Sequence, residues 1–194
     1  IVSANASTWT NVNNTWLPCA NYSWQSSMGS TGLPLKTYIP FNYSSPQLND
    51  HSWRFVDSIC KFSKFNLPIE TAKQTASGGR LKTSIIYGHR SSLTVGTVVN
   101  SNFEECGVFT CNYDLNENVY FDKENLWEKG AGNNNNLPSP TVELSSGGLF
   151  CDKSIHVINA WGPTRNFRLT KGRDYIMTAW VKVVSGKAWM SGDL

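Results

Sequence analysis

Apolar and polar residues alternate with a period of two along most of the chain, and helical spacing is almost absent. The apolar members are mainly β-branched or aromatic, and clusters of Gly, Pro and Asn separate the runs. The pattern predicts strands at residues 8–16, 21–25, 37–41, 53–62, 68–71, 83–87, 94–100, 108–113, 141–143, 154–159, 164–169, 174–184 and 187–190. Alternation is cleanest in 174–184. There Tyr175, Met177, Ala179, Val181 and Val183 interleave with Ile176, Thr178, Trp180 and Lys182, as a sandwich strand requires. The expected class is all-β.

The run GAGNNNNLPSP at 130–140 is polar and carries two prolines, so it reads as a loop. A softer division falls near 99–102. It separates a β-hairpin-rich segment at 1–100 from a second β unit at 101–194. A chain of 194 residues has room for one large domain or two small ones.

Charged residues are only 16% of the chain, where about a quarter is usual. Asn, Ser and Thr take their place, which suits a secreted surface. The net charge of +3 is scattered, and the densest basic stretch, 165–173, is broken by Phe167 and Leu169. A nucleic-acid binder concentrates its positive charge on one face, so that partner class is not expected. No apolar run approaches the roughly 20 residues that span a bilayer, so membrane insertion is not expected either. The sequence lacks the charged and apolar regions of a signal peptide, which places any such leader upstream or already removed. Four N-x-[ST] sequons, at Asn5, Asn13, Asn21 and Asn42, all fall early in the chain and mark a candidate glycan-bearing surface.

Cys106 and Cys111, in ECGVFTC, are spaced for a small disulfide loop worth roughly 2 kcal/mol. Cys19 and Cys60 are further disulfide candidates, and Cys151 makes the number odd. One cysteine therefore stays free or pairs with another chain. A zinc site would need two more ligands, and none of His51, His89 and His156 is paired with a cysteine.

Two longer resemblances overlap along the chain. NSNFEE at 100–105, Leu126-Trp127, SIHVINAWGP at 154–163 and RLTKGRDYIMTAWVKVVSG at 168–186 together resemble a carbohydrate-binding-module-like jelly roll. The earlier pieces are WLPCANYSWQ, TYIPFNY, SWRFVDSICKF, LPIET and SIIYGHRSSLTVGTVVNSNFEECGVF. They resemble the spacer sequence of bacterial YD-repeat (Rhs-like) surface proteins. In that family a phrase like Ile86-Tyr87-Gly88, then Leu93, Val95, Val98 and Asn100, precedes a jelly roll. The resemblance implies a large secreted, cell-surface or matrix protein that acts in adhesion or forms fibres, and neither half brings an active site. It also implies a structural calcium beside the NFE start, with Glu104 as the ligand.

The stretch from 102 to 194 is shorter than the roughly 120–150 residues of an eight-stranded jelly roll. The expectation is an incomplete sandwich: either the chain is a piece of a longer one, or the sandwich is finished by the N-terminal strands or by strands from a neighbouring copy.

No enzyme signature stands out. There is no G-x-S-x-G, phosphate loop or dinucleotide fingerprint. Glu104 and Glu105 are adjacent and would point to opposite faces of a strand. Asp114, Glu117, Asp122 and Glu124 lie in turn-like sequence. Trp127, Trp161 and Trp189 are candidate sugar platforms, although most of the eight tryptophans should pack in the core. The expected function is an extracellular structural or adhesive subunit, non-catalytic, whose partners are copies of itself joined by strand exchange. The alternatives are a carbohydrate-binding adhesion module and a viral or eukaryotic receptor-binding glycoprotein.

Overall fold

The computed structural model describes residues 2–46, 53–88, 91, 93–109, 128–129, 141–146, 153–158 and 162–187. The chain is all-β. β1 (Ser3–Val12), β2 (Thr15–Gln25), β3 (Arg54–Phe62), β4 (Pro68–Gln74), β5 (Arg80–Gly88) and β6 (Leu93–Val99) form one antiparallel sheet in sequence order. A 3₁₀ turn at Phe103–Glu105 follows. Later come two short ladders: β7 (Glu128–Lys129) with β10 (Pro163–Thr164), and β8 (Thr141–Ser146) with β9 (Lys153–Ile158).

The tight connections follow from local chemistry. Asn13 and Asn14 have φ of 49° and 62°, and Val12 pairs with Thr15. This is a two-residue hairpin turn with left-handed backbone at both positions, which asparagine tolerates better than most residues. The single strand expected at 8–16 is therefore two strands and a turn. Asn66 (φ 62°) closes the β3–β4 turn, and Gly78 (φ 86°) closes the β4–β5 turn. At Pro18, which lacks an N–H, the register of β1 against β2 shifts by one residue.

Period-two alternation gives the sheet two unlike faces. One face carries Ala6, Ala20, Trp24, Glu70, Ala72, Ser84 and Ile86, all buried. It is covered in two places. Over β1–β3, Tyr38 and Phe41 lie on Trp24 and Trp53. Ring centroids are 5.2 Å apart for Trp24–Tyr38 and for Phe41–Trp53, in edge-on geometry. Trp53 Nε1 donates to the Ile39 carbonyl at 2.8 Å, so the buried indole N–H is satisfied. Residues 37–41, expected as a strand, form no ladder; Pro34 and Pro40 flank a segment laid across the sheet to cover aromatic surface. Over β4–β6, Phe103 and Cys106 pack on Ile86 with Val95, Val98 and Val108 around them.

The opposite face is open and lined by amides and hydroxyls. Ser7 Oγ donates to Asn21 Oδ1, and Asn21 Nδ2 to Asp57 Oδ1, each at 2.7 Å, making a polar rung across three strands. One solvated face is usual for antiparallel sheets.

The expectation for 174–184 is corrected. These residues are outside every ladder and exposed. Of the strand expected at 164–169, only Thr164 lies in a strand, β10. Of the jelly-roll-like sandwich expected in 101–194, the described residues contain the two short ladders. Val108 and Phe109 are not in a strand, nor is Lys187; residues 110–113 and 188–190 lie outside the described residues.

Candidate functional site

Two features stand apart from core packing: a buried carboxylate hub behind the sheet and an exposed apolar strip tethered to it.

The hub is built on the 3₁₀ turn. Asn102 caps it: its backbone N–H donates to Glu105 Oε2 at 2.9 Å, giving a reciprocal capping box. Glu105 is buried and gathers donors from a distant part of the chain. Thr170 Oγ1 and Tyr175 OH both donate to Oε1, the latter at 3.1 Å, and Arg173 Nη1 lies 3.5 Å from Oε2. Burial pushes the Glu105 carboxyl up. The hydrogen bonds from Thr170, the Asn102 backbone and Tyr175 outweigh it and hold the group down at about 2. Around it, the Arg168 N–H donates to the Glu104 carbonyl at 3.1 Å, Arg173 Nη1 to the Asn100 carbonyl at 3.0 Å, and Arg165 Nη2 to the Phe103 carbonyl at 3.1 Å. The guanidinium of Arg165 also stacks over Phe167, 4.8 Å from the ring centroid. A Cβ at Gly107 would meet that guanidinium, so a larger residue there would make the end of the Arg165 side chain shift. Residues 165–175 are thus latched to the end of the sheet.

A second carboxylate, Glu70 on β4, is 1% exposed. Its Oε1 is 2.9 Å from Lys82 Nζ and its Oε2 accepts from the Phe103 N–H at 3.0 Å. Lys82 Nζ also donates to Asn102 Oδ1 at 2.6 Å. Sequence reasoning missed Glu70 and Lys82. The available signal was an acidic residue sharing a strand face with Ala72, two rungs from a lysine sharing a face with Ser84 and Ile86.

Beyond the latch the chain becomes an apolar strip. Ile176 is 92% exposed, Trp180 79% and Val184 82%, with Met177, Val181 and Val183 more than half exposed.

The other expected site residues fall as follows. Asn5, Asn13, Asn21 and Asn42 are all exposed. The amides of Asn13 and Asn21 already donate, the first to the Lys64 carbonyl and to Asn66 Oδ1 and the second to Asp57 Oδ1. Asn5 and Asn21 sit on the open face of the sheet. Cys19, Cys60 and Cys106 are free thiols. Cys19 Sγ lies 3.9 Å from the Ile59 carbonyl, and the exposed Cys60 has its Sγ 3.7 Å from Ser58 Oγ. Cys106 is buried against Phe103, and Cys111 and Cys151 lie outside the described residues, as do Trp127, Trp161 and Trp189.

Glu104 does not fit the calcium implied for it. Its Oε1 is 2.8 Å from Lys61 Nζ and its Oε2 is 3.3 Å from Arg168 Nη1. The hydrogen bond and charge of Lys61 hold its carboxyl below the ordinary value. Calcium needs six to eight oxygens, and both oxygens here face cations. Among the described residues no group of three or more His, Cys, Asp or Glu side chains is placed to hold a metal.

Two tryptophans not singled out by sequence are exposed: Trp9 at 59% and Trp16 at 65%. Trp9 pairs with Pro18 and Trp16 with Asn11, so both indoles sit diagonally on the open face near the β1–β2 turn. No helix among the described residues is long and apolar enough to cross a membrane. The sequence and fold match no protein family, no curated protein and no solved structure.

Proposed function

We propose that this chain is an extracellular structural and adhesive subunit, non-catalytic toward external substrates, that joins copies of itself by β-strand addition. The observation that carries this reading is the strip from Ile176 to Val184, which is apolar, exposed and outside any ladder. An apolar segment of this kind left in water is a template for pairing. The latch at Glu105 fixes where the strip leaves the sheet. The acceptor is the outer edge of β1. Among the described residues β1 has a strand on one side only, and SANASTWTNV contains neither charge nor proline, the usual protections of an edge. Donor and acceptor are different surfaces, so the contact is heterologous and propagates into an open filament. The extracellular placement is supported by the sparse charge and by four exposed sequons.

The test is electron microscopy beside size-exclusion chromatography on native material and on Ile176→Lys/Val184→Lys. Fibres in the first and dispersed particles in the second are expected. A stable monomer at high concentration in the unmodified chain overturns the reading.

A second reading, glycan binding, is favoured by Trp9 and Trp16. Two exposed indoles on one face give a stacking surface for sugar rings. A glycan array with Trp9→Ala as control tests it, and unchanged binding in the variant removes that platform.

A further inference from the structure

The contact among Lys82, Glu70 and Asn102 has the makings of a covalent bond. We propose that Lys82 and Asn102 form an intramolecular isopeptide cross-link, with Glu70 as the proton-transfer group. This is independent of the assembly reading above.

Three observations point to it. Lys82 Nζ lies 2.6 Å from the side-chain amide oxygen of Asn102, which places the nitrogen beside the amide carbon. Glu70 Oε1 touches the same amine at 2.9 Å, and this carboxylate is almost fully buried. Finally, the three groups sit on a fixed frame. Glu70 Oε2 is held by the Phe103 N–H, next in sequence to Asn102, and the Asn102 N–H is held by Glu105. Holding reactants at this separation supplies much of what an otherwise slow amide exchange lacks.

The chemistry balances without an external reagent. Glu70 Oε1, 2.9 Å from Lys82 Nζ, accepts a proton from the ammonium as the first step of the reaction. The free amine attacks Cγ of Asn102 and a C–N bond forms. The protonated Glu70 hydrogen-bonds the developing oxyanion. The Cγ–Nδ2 bond then breaks, Nδ2 receives a proton through Glu70, and ammonia departs. The products are a secondary amide between Lys82 and Asn102 and one ammonium ion. Nothing is oxidised or reduced, and the event occurs once per chain. The new bond would pin the 3₁₀ turn, and with it the Glu105 latch, to β5.

Peptide mapping of the folded full chain tests this. Trypsin should fail to cleave after Lys82. The peptide containing Lys82 should appear joined to the one containing Asn102, lighter than their sum by one ammonia. Lys82→Arg keeps the cation but cannot form the bond, and should give both peptides unlinked. Glu70→Gln should also give unlinked peptides while retaining Lys82 and Asn102. Complete cleavage after Lys82 with an unmodified Asn102 peptide from the wild-type chain overturns the proposal. A cross-link that persists in Glu70→Gln overturns the role given to Glu70.

Discussion

Glu105 shows how a single side chain can tie together segments far apart in sequence. Its folded value of about 2 lies below the roughly 4.3 of an unfolded glutamate. A depressed carboxylate contributes stability that is fully present above the unfolded value and is lost as pH falls through the folded one. The latch on 165–175 should therefore hold at neutral pH and weaken from about pH 4 down to about pH 2. Amide hydrogen exchange at Arg168 and Thr170 reads this directly; protection that stays constant across that window would contradict it. Glu105→Gln should weaken the latch at neutral pH by about 1.5–3 kcal/mol, the scale of a hydrogen bond to a charged group, and the difference from wild type should shrink as pH falls below about 4. In a strand Glu104 and Glu105 would face opposite ways; they lie instead in a 3₁₀ turn, where the first is half-buried and meets Lys61 and Arg168 and the second is buried. The sequence could not reveal that Glu105 meets Thr170 and Tyr175, because nothing local encodes a contact across that separation.

At the level of elements, alternation was readable wherever a strand buries one face and exposes the other. β3 to β6 were visible for this reason, and β9 was nearly so. The errors have physical causes. Residues 8–16 have β-forming character throughout, and the Asn-Asn turn within them lacks the glycine that usually announces a hairpin. Asn14→Val should cost about 1–2 kcal/mol, since a β-branched residue resists the left-handed backbone there; denaturant melting checks this, and an unchanged midpoint would count against the turn. Residues 37–41 alternate like a strand but are used as a cover for Trp24 and Trp53. The two tryptophans of β2 make a matched comparison. Trp24→Ala should cost about 3–5 kcal/mol, because Trp24 is fully buried among rings. Trp16→Ala, on the open face, should stay within about 0.5 kcal/mol.

For the molecule as a whole, the segment with the cleanest strand pattern, 174–184, belongs to no strand among the described residues. A pattern of side chains specifies a strand's faces but not its partner, so the sequence alone could not distinguish an internal strand from one offered outward. The assembly reading can be separated from ordinary hydrophobic clustering by the backbone. In an antiparallel pair, alternate residues direct their N–H toward a given neighbour, and the residues between direct theirs away. Proline removes the N–H. Single proline substitutions from Ile176 to Val184 should therefore affect assembly with a period of two: one parity loses a ladder hydrogen bond and assembles poorly, the other is far less affected. Sedimentation of each variant at one fixed concentration measures this. Clustering driven only by the apolar side chains would track the area lost at each position, with Ile176, Trp180 and Val184 dominating and no alternation. A two-residue period would show that the strip joins its neighbour as a strand, through main-chain hydrogen bonds for which the alternating side-chain pattern prepares it.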